Sequence, residues 1–225
     1  SLIGLAFNTM IENCSALDGV VKGGKKVGGL VGSIRVYSEI VGSYASLTVQ
    51  GAEEVGGLAG SVIESSVEDC FARGEIYSNE GNKIGGLIGS AKISHIKNCS
   101  AQDGIVEGYN EIGGLIGSFC NDSLLEESFT NIVVQGVMNI GGLVGVASNI
   151  SIENCYARGE VFDLDNIEAE KIGGLIGSLN SSSNVSYCYS TGRIKSNSPS
   201  QLIGGLIGYE DGNCSVTYCY WDFDT

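Results

Sequence analysis

Zinc proteolysis is the first chemistry to test against this sequence, and a histidine count decides it. A His-Glu-x-x-His zinc helix needs two imidazoles one helical turn apart, whereas His95 is the single histidine among 225 residues. That chemistry is excluded within these residues, and a Ser-His-Asp triad built on His95 is equally unsupported; a surface or edge histidine with its hydrogen bonds satisfied is the expectation. Eight cysteines come next. Cys14, Cys70, Cys99, Cys155, Cys188 and Cys219 occupy one position of a recurring block, so they should form an inward ladder. Stacked neighbours such as Cys70 with Cys99 or Cys188 with Cys219 approach disulfide separation, but parallel side-chain vectors disfavour the dihedral near 90° that a disulfide needs. Free thiols packed as small apolar groups are expected, and zinc is disfavoured because no Cys-x-x-Cys pair occurs. Cys120 and Cys214 fall outside the ladder and receive no assignment. Gly19 to Lys25 matches most of a phosphate-binding loop, yet Lys26 stands where Ser or Thr should hold magnesium and no helix pattern follows. A turn is expected there. Asp163, Asp165, Glu168 and Glu170 could supply oxygen ligands to calcium, although acidic loops are usually only solvated. No cofactor or metal is therefore expected.

These residues must be positioned by a repeat. The string Val27-Gly28-Gly29-Leu30-Val31-Gly32-Ser33 returns nearly unchanged from Val55, Ile84, Ile112, Ile140, Ile172 and Ile203, with Leu2-Ile3-Gly4 as a truncated eighth copy. From Leu2 through Leu30, Leu58, Leu87, Leu115, Leu143 and Leu175 to Leu206, the spacings are 28, 28, 29, 28, 28, 32 and 31. Such regularity is the signature of stacked units. A second block follows each Leu: Ile11 to Ala16, Val67 to Ala72, Ile96 to Ala101 and Ile152 to Ala157, with looser versions at Val185 to Ser190 and Val216 to Trp221. Ile40 to Ala45 and Leu125 to Thr130 carry Ser43 and Ser128 in place of cysteine. A Gly-x-Val/Ile step then recurs, as at Gly74-Glu75-Ile76.

Short Val/Ile-rich segments punctuated by Gly, Asn and Asp read as strands, and no stretch keeps a helical period. The predicted fold is all-β: a right-handed parallel β-solenoid of about eight coils of 28–32 residues, three short strands per coil, forming one domain over 1–225 that is a fragment of a longer protein. At about 4.8 Å per rung, eight coils make a rod roughly 38 Å long. Parity places the cysteine position and the position two later (Ala16, Ala45, Ala72, Ala101, Thr130, Ala157, Ser190) inside. The slot between them faces out and holds Tyr44, Phe71, Phe129, Tyr156, Tyr189 and Tyr220, interrupted by Ser15 and Ser100. This aromatic ladder is the candidate ligand-binding surface, a platform for sugar faces or a partner's apolar groups; the bland alternative is self-stacking that stabilises the coils. The apolar residue three before each cysteine reaches the interior only if the chain bends at Asn13, Asp69, Asn98 and Asn154, where a left-handed bend is tolerated. For the glycine motif two readings stand side by side, a bend or a close approach of another backbone. The long turns of the sixth and seventh units (Phe162 to Lys171, and Lys195 to Leu202 with Pro199) form a second candidate surface, because repeat proteins often bind at inserts along one edge.

Composition narrows the partners. The formal net charge is −14 with twelve Lys and Arg, which argues against a phosphate-binding face and hence against nucleic acid. No apolar run reaches the length of a membrane helix, and residues 1 to 10 lack a signal-peptide pattern, so an export signal is expected outside this segment.

Gly-Gly-Leu-x-Gly followed by Asn-Cys-Tyr-Ala-x-Gly-x-Val resembles the GLUG repeat family of bacterial surface proteins, and Cys219 to Thr225 is similar to the segment that often closes such arrays. The resemblance implies an extracellular or cell-surface module, accessory to other domains in immunoglobulin-A peptidases and adhesin-like proteins. On that basis the expected role is a non-enzymatic spacer or adhesion module, with host glycans or extracellular matrix and mucosal proteins as partners. The rival is a carbohydrate-active β-helix enzyme of the polysaccharide lyase kind, against which no repeat position collects a compact Asp, Lys and Arg group. Open ends of a solenoid expose strand edges, so end-to-end self-association of the segment is also expected.

Overall fold

The computed structural model describes residues 1–78, 80–164, 170–196 and 202–222. Among them every regular element is a β-strand, arranged in three sheets of fourteen, ten and seven strands whose pairings are all parallel. One turn shows how the sequence makes the coil. Val31–Arg35 and Glu39–Val41 lie in the first sheet, Tyr44–Gln50 in the second and Glu53–Gly56 in the third, after which Ala59–Ile63 begins the next turn directly below Val31–Arg35. Each repeat thus supplies four strand segments to three sheets. The eight copies of the motif bound about seven turns, because each turn is closed by the copy that follows it; the expected count of eight coils is corrected to that extent.

The stacking is in register. Val27, Val55, Ile84, Ile112, Ile140 and Ile172 form one ladder, and Ile40, Val67, Ile96, Leu125, Ile152 and Val185 another. All are buried in a single apolar core. Leu30, Leu58, Leu87, Leu115, Leu143 and Leu175 are completely buried too, each turn passing backbone hydrogen bonds to the next, as from Leu30 N to Leu58 O at 3.0 Å. Rung-on-rung pairing is what satisfies the peptide groups that no single coil could satisfy itself. Side-chain volume is also balanced along ladders: Phe119 packs between Ala91 above and Ala147 below, large against small at constant rung spacing.

Both readings of the glycine motif hold. The chain bends at Gly29–Leu30, between the third-sheet strand and the next first-sheet strand, which lets Leu30 and Val31 both point inward despite their adjacent positions. At the same bend the turns approach closely: a Cβ on Gly86 would collide with the carbonyl oxygen of Gly114 in the next turn.

The expected corner before each cysteine is present. Asn13, Asp69, Asn98 and Asn154 have φ of 51°, 54°, 48° and 53°, and Gly42, Glu127, Tyr187 and Tyr218 occupy the same left-handed place in the remaining turns. Two further left-handed corners per turn were not anticipated. One falls at Lys26, Glu54, Lys83, Glu111, Asn139 and Lys171; the other follows the first strand of each turn, at Asn8, Tyr37, Glu64, Ile93, Asp122, Asn149, Ser182 and Asn213.

Candidate functional site

The aromatic positions face outward as parity requires, but their rings face one another. Tyr44 stacks on Phe71 with centroids 4.7 Å apart and planes at 7°; Phe129 stacks on Tyr156, and Tyr156 on Tyr189, each at 4.9 Å. Rung spacing forces this geometry, since identical rotamers on in-register strands place ring planes about 4.8 Å apart. The ring faces within each stack are therefore used up, and solvent meets mostly edges. Arg158 lies 4.7 Å from the Tyr156 centroid and donates a 3.1 Å hydrogen bond to the Tyr189 hydroxyl, and Arg73 sits 5.2 Å from the Phe71 centroid. At the interruption, Gln102 donates to the Ser100 hydroxyl and Ser100 is only 7% exposed, so the gap between the two stacks is filled. Tyr220 pairs in register with Tyr189 and is 69% exposed. The arrangement is that of a self-stacked ladder which, through Tyr44 to Tyr189, turns mostly ring edges to solvent.

The other sequence candidates fall into structural places. His95 Nε2 lies 3.0 Å from Glu126 Oε1, which also accepts from Lys97 Nζ at 3.0 Å; these two partners, Lys97 foremost, hold the Glu126 carboxyl below its ordinary range. Gly19–Lys22 belongs to the strand Ser15–Lys22 and Lys25 opens the strand Lys25–Gly28, where it pairs with Glu53, so the loop-like motif is a turn between rungs. Of the calcium candidates, Asp163 accepts a 2.7 Å hydrogen bond from Ser196, and Asp165 and Glu168 lie outside the described residues. So do Pro199 and Phe223 to Thr225, which belong to the long-turn and closing-segment expectations. Among the described residues no three His, Cys, Asp or Glu side chains gather closely enough to hold a metal ion.

The cysteines are free thiols. Cys70, Cys99, Cys155 and Cys188 are buried, and burial pushes Cys99 and Cys155 well above the ordinary thiol range. Each closes the left-handed corner before it: the Cys70 thiol donates to Glu68 O at 3.0 Å and accepts from the Ser43 N–H at 3.4 Å. Ser43 and Ser128 make the same bonds, donating to Val41 O and Glu126 O and accepting from the Cys14 and Cys99 amides. A second ladder of this kind, Ser38, Ser65, Ser94, Ser123 and Ser183, closes the corner after the first strand, as in the 2.6 Å bond from Ser94 to Lys92 O. Cys214 occupies the next position of that ladder, with a 3.9 Å contact to Asp211 O. Cys120 ends the first strand segment of its turn, half-buried.

That second corner builds the feature which reading the sequence missed. Between the corner residues and the short strand after them runs a furrow in the first sheet. Its floor is one in-register ladder, Glu39, Ser66, His95, Leu124, Ser151 and Asn184. Over the second to fourth turns it holds a groove of about 490 Å3 lined by Tyr37, Glu39, Glu64, Ile93 and His95 among others. Over the fifth to seventh turns a further hollow of about 430 Å3 includes Asp122, Asn149 and Glu153. Tyr37 is 80% exposed and Ile93 51%. The available signal was the unusual corner chemistry: most turns place Asn, Asp or Ser here, of which Asn and Asp tolerate a left-handed backbone and Ser makes the weaker version of their turn, whereas Val36, Tyr37, Glu64 and Ile93 have neither property.

A family model described as the GLUG motif matches residues 51–77 and 136–161. Each stretch spans the second-sheet strand region of a repeat or leads into it, so the resemblance read from the sequence holds at those turns. No curated protein and no solved structure matches the chain.

Proposed function

We propose that this stack of GLUG-motif coils is a non-enzymatic structural and adhesion module of a bacterial cell-surface or secreted protein, a stiff spacer whose outer ladders present a binding surface. The observation that carries the reading is the uninterrupted apolar core, in which every turn is pinned to the next by backbone hydrogen bonds and in-register ladders. A rod of this kind transmits position: each added turn extends it by about 4.8 Å, and its stiffness does not depend on a linker. In the setting implied by the resemblance, it holds a companion adhesive or catalytic domain away from the cell wall. The acidic surface suits solubility and resists anionic membranes, and no described helix is long and apolar enough to cross one.

The test is a binding and turnover screen of the purified chain against host glycans, mucin and extracellular matrix proteins, combined with small-angle scattering. A rod-like particle that retains ligand without altering it is expected. Depolymerisation of a polysaccharide by the chain, abolished by replacing a single carboxylate, would make it a β-helix enzyme instead.

A further inference from the structure

The groove beside Tyr37 has a composition that specifies its ligand. Its aromatic wall is Tyr37, which unlike Tyr44, Phe71 or Tyr156 takes part in no ring stack among the described residues, so its ring is open to a ligand. Ile93, two turns along and hence about 10 Å away, forms a second apolar wall. The carboxylates of Glu39 and Glu64 line the same groove, both exposed, and neither makes an ion pair among the described residues. The one basic lining group, His95, is already held by Glu126. An open ring beside two carboxylates that are in no ion pair among the described residues is the chemistry that receives a Lys or Arg side chain, by cation–π contact and charge-assisted hydrogen bonds, although Arg35 and Lys92 stand on the rungs either side of Ile63, next to Glu64. The floor ladder continues without a break into the hollow that holds Asp122 and Glu153, so the acidic furrow runs along the rod in the direction an extended chain would take.

We propose that this furrow is a docking site for a basic extended peptide segment of a partner protein, with one cationic side chain seated between Tyr37, Glu39 and Glu64. The site extends the adhesion reading and rests on it only for biological setting. Its corner backbone fits the same conclusion. Ile93, a lining residue, holds a φ of 50°, a region where a β-branched residue is a true outlier costing about 1–2 kcal/mol, while other turns place Asn8, Asp122 or Asn149 at this corner, residue types that adopt it more readily. Side chains kept at a strained corner are kept for what they present outward.

The test is fluorescence anisotropy of a labelled peptide of alternating Arg and Ser, with a neutral chito-oligosaccharide as the competing class of ligand. Expected results are peptide binding that weakens with added salt, a roughly threefold or greater loss in Tyr37→Ala, near-retention in Tyr37→Phe, and a larger loss in the pair Glu39→Gln with Glu64→Gln. The control pair Glu75→Gln with Glu107→Gln, on the second sheet, removes the same charge and should leave binding close to wild type. Equal losses in the two pairs would reduce the effect to net charge and overturn the site. So would absence of peptide binding, or salt-insensitive binding of the oligosaccharide lost in Tyr37→Ala. Ile93→Asn supplies the independent check, because it should raise the unfolding midpoint while weakening the peptide; a lower midpoint with unchanged affinity contradicts the proposal. None of these failures affects the rod shape or absence of turnover on which the spacer reading depends.

Discussion

At the scale of single residues, Ser replaces Cys in two turns of one ladder and Cys214 follows the serines of the other because both can do one job: fold back on a left-handed corner, donate to a carbonyl two or three residues earlier and accept an amide from the preceding turn. Cys70→Ser is therefore expected to change stability by less than about 1 kcal/mol, whereas Cys70→Val, similar in volume, strands the Ser43 amide and should cost roughly 1–3 kcal/mol; urea unfolding of the two variants gives the comparison. The thiolate is the reactive form, and Cys99 and Cys155 are both buried and shifted away from it. A maleimide reagent at neutral pH should modify them only after denaturant is added, which mass spectrometry with and without urea would establish. Rapid labelling of Cys155 in the folded chain would contradict the burial of that ladder.

Within an element, the glycines of the Gly-Gly-Leu bend and the large-small alternation of core ladders set the tolerance to change. Gly86→Ala drives a Cβ into the backbone of the next turn, where no side chain can move aside, so a loss of about 1–3 kcal/mol or more is expected. Phe119→Ala leaves a void between Ala91 and Ala147 that those small neighbours cannot fill, for an expected cost of about 3–5 kcal/mol. Both are read from denaturant midpoints. An exposed outward position on a second-sheet strand, such as Glu75, should tolerate alanine within about 0.5 kcal/mol.

For the molecule as a whole, stability is a sum over turns and the interfaces between them. Among the described residues the apolar side chains of the end rungs are exposed, Leu5, Phe7 and Met10 at one end and Val216 and Tyr220 at the other. Purified as it stands, the chain is expected to associate end to end, with a sedimentation coefficient that rises with concentration. A constant monomeric value over a hundredfold dilution series would contradict this.

The period, the strand content, the inward small-residue ladder and the Asn/Asp corner were all legible in the sequence, because stacking repeats one local geometry and so writes the same letters at the same interval. The turn count needed only the recognition that a coil is closed by its successor. Two matters were decided by tertiary structure alone. Whether outward aromatics offer faces or edges depends on rung spacing, which brings residues nearly thirty positions apart into ring contact. The acidic furrow likewise joins Tyr37, Glu64 and Ile93 from three separate turns, and the departure of these residues from the Asn, Asp or Ser of other turns acquires meaning only once the corner they share is known.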